Sequence, residues 1–241
     1  MSAIENLIEL DTVGSTNDHA KDLAKSGYPH GTVVRAHHQT AGRGRQGNIW
    51  VSKPGNLYMT LVLRPDNKNA AVTGQLSFVA AVALGQVLRD MLPQAEVSLK
   101  WPNDVLVNGK KIAGILLETQ VDGVRPVSWV VIGMGVNVTD APEGATAVHF
   151  NGAREYDAAE VMERVYVQLM ALYADWHKNG FTHVRETWLS RAHNLGGVIH
   201  VRLPKETFTA KFLGIDTSGA LELEMDDGKK RTVASGEVFA A

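Results

Sequence analysis

The 241-residue sequence contains no cysteine. Disulfide bonds, zinc–thiolate sites and enzymes that use a cysteine nucleophile are therefore excluded. The sequence also has no apolar run long enough to cross a bilayer, and residues 1–6 lack the basic flank and apolar stretch of a secretion signal, so we expect a cytoplasmic protein without a membrane partner. Acidic residues outnumber basic ones by 26 to 24, a balance that disfavours nucleic acid as the main ligand.

Two common nucleotide-binding sequences are absent or incomplete. The Walker pattern, in which a lysine follows a glycine-rich loop, does not occur. Gly133-Met134-Gly135-Val136-Asn137 supplies only two of the three glycines of a dinucleotide-binding turn, and no helical pattern follows it. A bound nucleotide must therefore be held by a different arrangement.

Hydrophobic periodicity predicts a mixed α/β fold. Apolar patterning predicts strands over 7–12, 31–38, 56–63, 97–100, 105–107, 110–118 and 129–138, and helices over 18–25, 74–92, 157–179 and 181–193. Beyond residue 194, short predicted strands over 198–203, 208–215, 220–225 and 230–233 alternate with tight turns and no helix. We therefore predict two domains, residues 1–193 and 194–241, and interpret the second as a small SH3-like β-barrel that serves as a lid or dimer support.

The stretch Thr40–Gly47, here named the glycine–arginine loop, carries Gly42, Arg43, Gly44 and Arg45 between two predicted strands. Glycine allows several backbone N–H groups to converge on one anion, and arginine adds a planar, permanently charged fork. The loop is therefore a candidate phosphate or carboxylate site. A mobile surface loop is the alternative, whereas RNA-binding Arg-Gly segments are usually longer and repeated.

A β-hairpin is predicted around Asn108-Gly109, which favours a two-residue type I′ turn. With that register Asp104 faces Ala113, and Asp104 and Lys111 project from the same face as diagonal neighbours roughly 7 Å apart. They are then too far apart for a tight ion pair but well placed to hold a phosphate and its Mg²⁺ between them. Lys110 projects from the opposite face.

Aromatic residues flank both candidate features. Pro102 fits poorly inside a central strand, so a kink at a sheet edge or bulge is expected there, which brings Lys100 and Asn103 toward the site. Trp101 is interpreted as a core residue. Trp50, where the chain returns to a strand pattern after the loop, is suited either to the core or to stacking on a purine.

In combination, these motifs resemble those of the bacterial biotin protein ligases. The resemblance covers essentially the whole chain and rests on Ser15-Thr16-Asn17, Gln39, Gly42-Arg43-Gly44-Arg45, Trp50, Lys100-Trp101-Pro102-Asn103-Asp104, Lys111-Ile112-Ala113-Gly114-Ile115-Leu116 and Gly133-x-Gly-Val-Asn137. It implies a catalytic domain like that of class II aminoacyl-tRNA synthetases, followed by an SH3-like C-terminal domain.

The resemblance also implies the reaction and the residues. The family makes biotinyl-5′-adenylate from biotin and MgATP, then transfers biotin to a lysine of a biotin carboxyl carrier protein domain. Catalytic roles would fall to Arg45, Lys111 and Asp104, the last with Mg²⁺. Biotin contacts would be Ser15, Thr16, Asn17, Gln39, Gly42, Arg43, Gly44, Arg45, Lys111 and Gly114. ATP contacts would be Arg43, Arg45, Trp50, Lys100, Asn103, Lys111 and Asn137.

Two departures from the family pattern matter. Many members carry a third arginine where this sequence has Asn48, which predicts weaker ATP binding. Some members also carry an N-terminal DNA-binding domain, whereas the first predicted catalytic strand here begins at Leu7, so we expect no DNA partner. The family includes monomers and homodimers, and the sequence does not distinguish them.

Two alternatives remain open from the sequence. A lipoate protein ligase would share the fold and an adenylate intermediate, but it would favour a longer apolar pocket over the polar residues Ser15, Asn17 and Gln39. A metabolite-binding protein without turnover would keep the pocket alone. Octanoyl transferases of this fold are excluded because they use a cysteine nucleophile.

Overall fold

A computed structural model describes residues 2–66, 70–120, 127–152 and 156–240. In chain order its elements are β1 (Leu7–Val13), α1 (Thr16–Lys25), β2 (Val33–Gln39), a 3₁₀ turn (Arg45–Gly47), β3 (Leu57–Leu63), α2 (Ala70–Thr73), α3 (Leu76–Met91), β4 (Val97–Lys100), β5 (Asp104–Val107), β6 (Lys110–Thr119), β7 (Val130–Val136), α4 (Val148–Asn151), α5 (Ala158–Asn179), α6 (Thr182–Leu189), β8 (Val198–Arg202), β9 (Thr207–Ile215), β10 (Leu221–Glu224), β11 (Lys230–Val233) and β12 (Glu237–Ala240).

The first seven strands form one mixed sheet in the order β1-β2-β3-β7-β6-β5-β4. β1 and β2 are parallel because α1 connects them, whereas the other pairs are antiparallel. The predicted α/β class is thus confirmed, and the predicted strands and helices occur with their ends shifted by a few residues. β7 and β3 lie in the middle of the sheet, and their side chains are almost all buried.

The two faces of this sheet are covered by different helices. Val33 packs in the main core with α3 and α5, whereas the next residue, Val34, packs with Ala20 and Ala24 of α1. Successive strand residues point to opposite faces, so this alternation places α1 on one side and the large helices on the other. α1 covers β2, β3 and β7. The candidate site lies beside α1.

The β5–β6 hairpin has the predicted turn but not the predicted register throughout. Asn108-Gly109 adopts positive φ angles of 50° and 73°, as a type I′ turn requires. Asp104, however, faces Gly114 rather than Ala113. Ile112 is an extra residue on β6, and the resulting bulge shifts the pairing by one position.

The C-terminal strands form an antiparallel sheet in the order β11-β10-β9-β8-β12. Within the described residues β11 and β12 each pair with one neighbour, so the predicted barrel is not closed. β12 was not predicted from the sequence. This sheet is joined to the seven-stranded sheet through Trp101, a core residue as predicted, whose indole nitrogen donates to the carbonyl of Gly219 at 3.0 Å.

α5 shows how the helices are adapted to one sheet face. It begins at Asp157, whose carboxylate accepts from the backbone of Glu160 at 2.7 Å, and ends at Gly180 with φ 82°. Its buried side chains recur on one face and its polar ones on the other. Neither α5 nor any other helix in the described ranges is long and apolar enough to cross a membrane.

Candidate active site

A cavity of about 190 Å³ opens on the α1 side of the sheet. Its walls are the start of α1, the glycine–arginine loop, the β4–β5 turn, the middle of β6 and β7, and the start of β12. It brings together these residues from the sequence-predicted set: Ser15, Thr16, Asn17, Gln39, Arg43, Gly44, Arg45, Trp50, Lys100, Asn103, Asp104, Lys111 and Gly114.

Gly42 and Asn137 belong to the predicted set but are not among the residues that line the cavity. A Cβ atom on Gly42 would lie 2.6 Å from the carbonyl oxygen of Trp50, so this glycine allows the loop to pack against its own base. Asn137 is buried and donates to the carbonyl of Thr146 at 3.1 Å. Both residues support the walls, and their contact with a ligand stays a prediction.

One wall consists of uncharged polar groups that are hydrogen-bonded to one another. Gln39 Oε1 accepts from the backbone and hydroxyl of Thr16 at 2.8 and 3.0 Å. The hydroxyl of Thr60 lies 2.9 Å from that of Thr16 and 2.7 Å from Asn17 Oδ1, and Asn17 Nδ2 donates to Glu118 at 2.8 Å. These bonds fix the side chains before any ligand arrives.

Two polar groups of this wall remain for a ligand. Ser15 is at the N-cap position of α1, but its side chain makes no capping hydrogen bond. Gln39 uses its oxygen for Thr16, while its side-chain nitrogen donates to no residue in the described ranges. Both side chains line the cavity. A ligand that both donates and accepts hydrogen bonds would satisfy them.

The floor of the cavity is a stretch of β7 without side chains. A Cβ on Gly133 would overlap the amide of Asn17, and a Cβ on Gly135 would overlap the indole of Trp50. On the adjacent strand, a Cβ on Gly114 would lie 3.0 Å from the same indole. The two glycines that resemble part of a dinucleotide motif therefore serve close packing. They let Asn17 and Trp50 lie directly on the sheet.

The opposite wall is cationic. Arg45 donates to Asn103 Oδ1 at 3.4 Å and to the carbonyl of Gly236 at 3.3 Å. Burial lowers the pKa of Arg45 and that of Lys100, and in both cases the nearby Asp104 carboxylate opposes the shift. Partly desolvated cations of this kind interact strongly with an entering anion.

Lys111 and Asp104 form an ion pair in this wall. Lys111 Nζ lies 2.7 Å from Asp104 Oδ1, whereas the sequence predicted a separation too large for a tight pair. The difference arises from the reach of the lysine side chain, which spans the diagonal between the two strand positions. The bulge leaves Lys111 opposite Leu106 and moves only the partner of Asp104. The ammonium also lies 5.5 Å from the ring centre of Trp50, a cation–π distance. Both contacts keep Lys111 inside the cavity.

The C-terminal sheet completes the site, a contribution that was not predicted from the sequence. Glu237 and Phe239 of β12 line the cavity. Asn48 Nδ2 donates to Glu237 at 3.3 Å, and Lys100 Nζ lies 5.1 Å from the ring centre of Phe239. Trp50, which the sequence left between two interpretations, lies between the walls with a buried indole N–H that bonds to none of the described residues.

The donor set fits a magnesium ion that arrives with phosphates rather than a resident metal. Among the described residues no three histidine, cysteine or acidic side chains converge as a metal-ligand group. Asp104 is a single carboxylate with Asn103 next to it in sequence, and both line the cavity. Mg²⁺ is commonly held by one or two carboxylates, with waters and substrate phosphates completing its six ligands.

Comparison with known proteins identifies the family. Residues 10–137 match the biotin/lipoate A/B protein ligase family, and residues 195–240 match the biotin protein ligase C terminal domain. The chain belongs to the biotin/lipoate A/B protein ligase family. The first match runs from within β1 to the end of β7, which includes most of the cavity walls, and the second covers the C-terminal sheet.

Several members of this ligase family are similar to this protein along most of its chain. The biotin--[acetyl-CoA-carboxylase] ligase of Paracoccus denitrificans is 40% identical over 93% of this chain and 96% of its own length. The bifunctional ligase/repressor BirA of Bacillus subtilis is 38% identical over 94% of this chain and 72% of its own length. A biotin protein ligase from Aquifex aeolicus, solved with biotin and ATP, superposes with a TM-score of 0.82 at 28% identity and covers 98% of both chains.

Family motifs did not point to every residue of the site. Thr60 is fully buried and connects Thr16 to Asn17, and its signal in the sequence is a single hydroxyl in an otherwise apolar strand. Glu118, at the end of β6, is the carboxylate that accepts a hydrogen bond from Asn17. Its signal in the sequence is an acidic residue at the end of an apolar strand pattern.

Proposed function

We infer that this chain is a biotin protein ligase, an ATP-dependent enzyme that activates biotin as biotinyl-5′-adenylate and transfers it to a protein lysine. The observation that carries this conclusion is the junction of two unlike walls in one cavity. A neutral hydrogen-bonding wall suits the ureido ring of biotin, and a cationic wall suits the phosphates of ATP. The family and its biotin ligase members support the same assignment.

In the first step a carboxylate oxygen of biotin attacks the α-phosphorus of ATP. The new oxygen–phosphorus bond forms as the bond to the bridging oxygen breaks, and pyrophosphate leaves. Two anions must approach each other, so we propose that Arg45 and Lys111 offset the charge on the phosphoryl oxygens. Mg²⁺ bound with ATP would add positive charge there, with Asp104 as its protein carboxylate and Asn103 beside it.

In the second step the amine of an acceptor lysine attacks the acyl carbon, AMP leaves, and the amine loses its proton. The ion pair with Asp104 holds the Lys111 ammonium at the site, and Arg45 is held by Asn103 and Gly236. Both cations are thus positioned before the reaction. We propose that Arg43 and the backbone of the glycine–arginine loop cover the adenylate and exclude water.

The remaining contacts follow from the two walls. We propose that Ser15 and Gln39 bind the ureido group, with Thr16 and Asn17 holding the wall in place. Trp50 would contact adenine, since its buried N–H has no partner among the described residues and a ligand acceptor would satisfy it. Lys100 would contact the triphosphate, and the same proposal retains Asn137 as an adenine contact.

The fold types of the two domains and the identity of the acceptor protein are also proposals. We propose that the first domain is of the class II synthetase type and the second of the SH3-like type, as in the family. The acceptor would be the biotin carboxyl carrier domain of acetyl-CoA carboxylase, because the relatives named for that substrate span almost the whole chain.

Acid-dependent exchange of labelled pyrophosphate into ATP tests the function. Biotin, lipoate and no acid should be run in parallel with Mg²⁺, and we expect exchange with biotin only. Adding a carrier domain and following its intact mass should then show one biotinyl group, abolished when its target lysine is replaced. Exchange with lipoate only would reassign the chain to the lipoate ligases, and no exchange with either acid would indicate a binding protein.

A further inference from the structure

The glycine–arginine loop is held at both ends by side-chain contacts. At one end Arg43 forms a two-bonded pair with Asp18 of α1, with 2.7 Å between Arg43 Nη2 and Asp18 Oδ1 and a second short contact through Nη1. At the other end Arg45 donates to the carbonyl of Gly236, and Asn48, which directly follows the loop, donates to Glu237 of β12. The loop thus spans the cavity from α1 to the C-terminal sheet.

The Arg43 end has a balanced set of charges around it. Asp18 contacts Lys21 at 2.8 Å, Glu118 contacts Lys21 at 2.9 Å, and Glu118 lies 3.5 Å from Arg43. Two carboxylates therefore face two cations. The hydrogen bond from Arg43 lowers the pKa of Asp18, so this carboxylate is ionised at neutral pH. Glu118 also accepts a hydrogen bond from Asn17, whereas Asp18 contacts none of the residues that we assign to ligand binding except Arg43.

Arg43 stands between the cavity and solvent. It lines the active-site cavity, and it also lines a second cleft that opens between the loop, Ser77 and Gly219. An acyl-adenylate is a mixed anhydride that water destroys, so an enzyme that must wait for a protein acceptor depends on a closed loop.

We propose that Asp18 is a positioning residue that holds Arg43 across the pocket and thereby retains the acyl-adenylate until the acceptor lysine arrives. This inference rests on the proposed adenylation function. Asp18 acts through Arg43 and does not touch the reacting atoms. A two-bonded Arg–carboxylate pair fixes the direction of the guanidinium as well as its position, which a single contact does not.

Asp18→Asn tests this proposal, and Asp22→Asn is its matched control. Asp22 pairs with Lys25 at 3.2 Å, with the same three-residue spacing on the same helix, but does not touch the loop. After a single turnover without acceptor, we expect Asp18→Asn to lose its adenylate about fivefold faster than wild type, with an unchanged rate of adenylation at saturating substrates. Asp22→Asn should retain its adenylate as wild type does.

A double-mutant cycle separates this role from a general effect on α1. If Asp18 acts through Arg43, Asp18→Asn adds no further loss in an Arg43→Gln background. Additive losses, or equal losses in Asp18→Asn and Asp22→Asn, would overturn the proposal.

Limited proteolysis gives a readout that does not depend on the reaction. We expect trypsin to cleave after Arg45 faster in Asp18→Asn than in wild type or Asp22→Asn, because the loop is then released at one end. If wild type forms no adenylate, the proposed function fails while this measurement still tests the contact. Equal cleavage in the three proteins would contradict it.

Discussion

The two walls of the cavity differ in how completely their polar and charged groups are already paired. In the neutral wall, the side chains of Thr16, Asn17 and Thr60 are buried and bonded to one another. In the cationic wall, Lys111 keeps 41% of its side chain exposed and has one carboxylate partner. The first wall is rigid and nearly complete without a ligand. The second retains charge that an anion can still use.

The difference indicates where affinity and rate originate. Hydrogen-bonded buried groups lose little freedom when a ligand binds, so the neutral wall should determine affinity for biotin. Cations that interact more strongly with a developing charge than with the substrates raise the rate of the chemical step. The substitutions below test this division, from the largest expected effect to the smallest.

Lys111→Ala should have the largest effect, and that effect should be on the rate of adenylation. We expect adenylation to drop by at least about 100-fold, because one preorganised charge is lost beside the phosphoryl oxygens, while biotin affinity stays close to wild type. Rapid-quench measurement of adenylate and calorimetric titration of biotin report the two quantities separately. Lys110→Ala, the exposed neighbour on β6, is the control. An unchanged rate in Lys111→Ala would refute the role proposed for it.

Thr60→Val should show the reverse behaviour. Removing the hydroxyl leaves Asn17 Oδ1 without a buried donor, so we expect the Kd for biotin to rise about tenfold, equivalent to about 1.4 kcal/mol. The adenylation rate at saturating biotin should be retained. Thr32→Val removes another fully buried hydroxyl, one that donates to Pro29 outside the cavity, and should leave biotin affinity unchanged. Equal losses in the two variants would show that packing, not this network, sets affinity.

Asn48→Arg should have the smallest effect. It places the arginine common in the family at the edge of the cationic wall, where we expect the KM for ATP to fall by at most about fivefold, since partly exposed charge pairs contribute about 0.2–1 kcal/mol. Glu237, which accepts a hydrogen bond from Asn48, would pair with the added arginine and so limit the gain in ATP binding. Gln46→Arg adds the same charge to the loop outside this cavity and is the control. A KM that rises in Asn48→Arg alone would contradict the predicted ATP contact.

The sequence predicted the composition of both walls better than their geometry. Motif residues such as Ser15 and Gln39 meet in one cavity because each lies at the end of a strand or helix that periodicity could identify. The pairing of Asp104 with Gly114 could not be derived, since the bulge at Ile112 interrupts an apolar run that shows no break in composition. A shift of one residue changes every neighbour relation beyond the bulge.

Other features depend on contacts between distant parts of the chain. Glu237 and Phe239 lie in a four-residue strand near the C-terminal end, and nothing in that short segment indicates which cavity it borders. The role of Gly133 and Gly135 was equally hidden because it depends on Asn17 and Trp50, which lie far away in sequence. Local patterns report secondary structure, whereas these relations arise only in the assembled fold.

The bare floor at Gly133 and Gly135 has a practical consequence for redesign of the pocket. The volume of an enzyme pocket is usually changed in steps by exchanging a larger side chain for a smaller one. A strand position without a side chain offers no such step. The first added methyl group at Gly135 would displace Trp50 itself. Attempts to admit a different acid should therefore vary Leu116, which also lines the cavity, and leave β7 as it is.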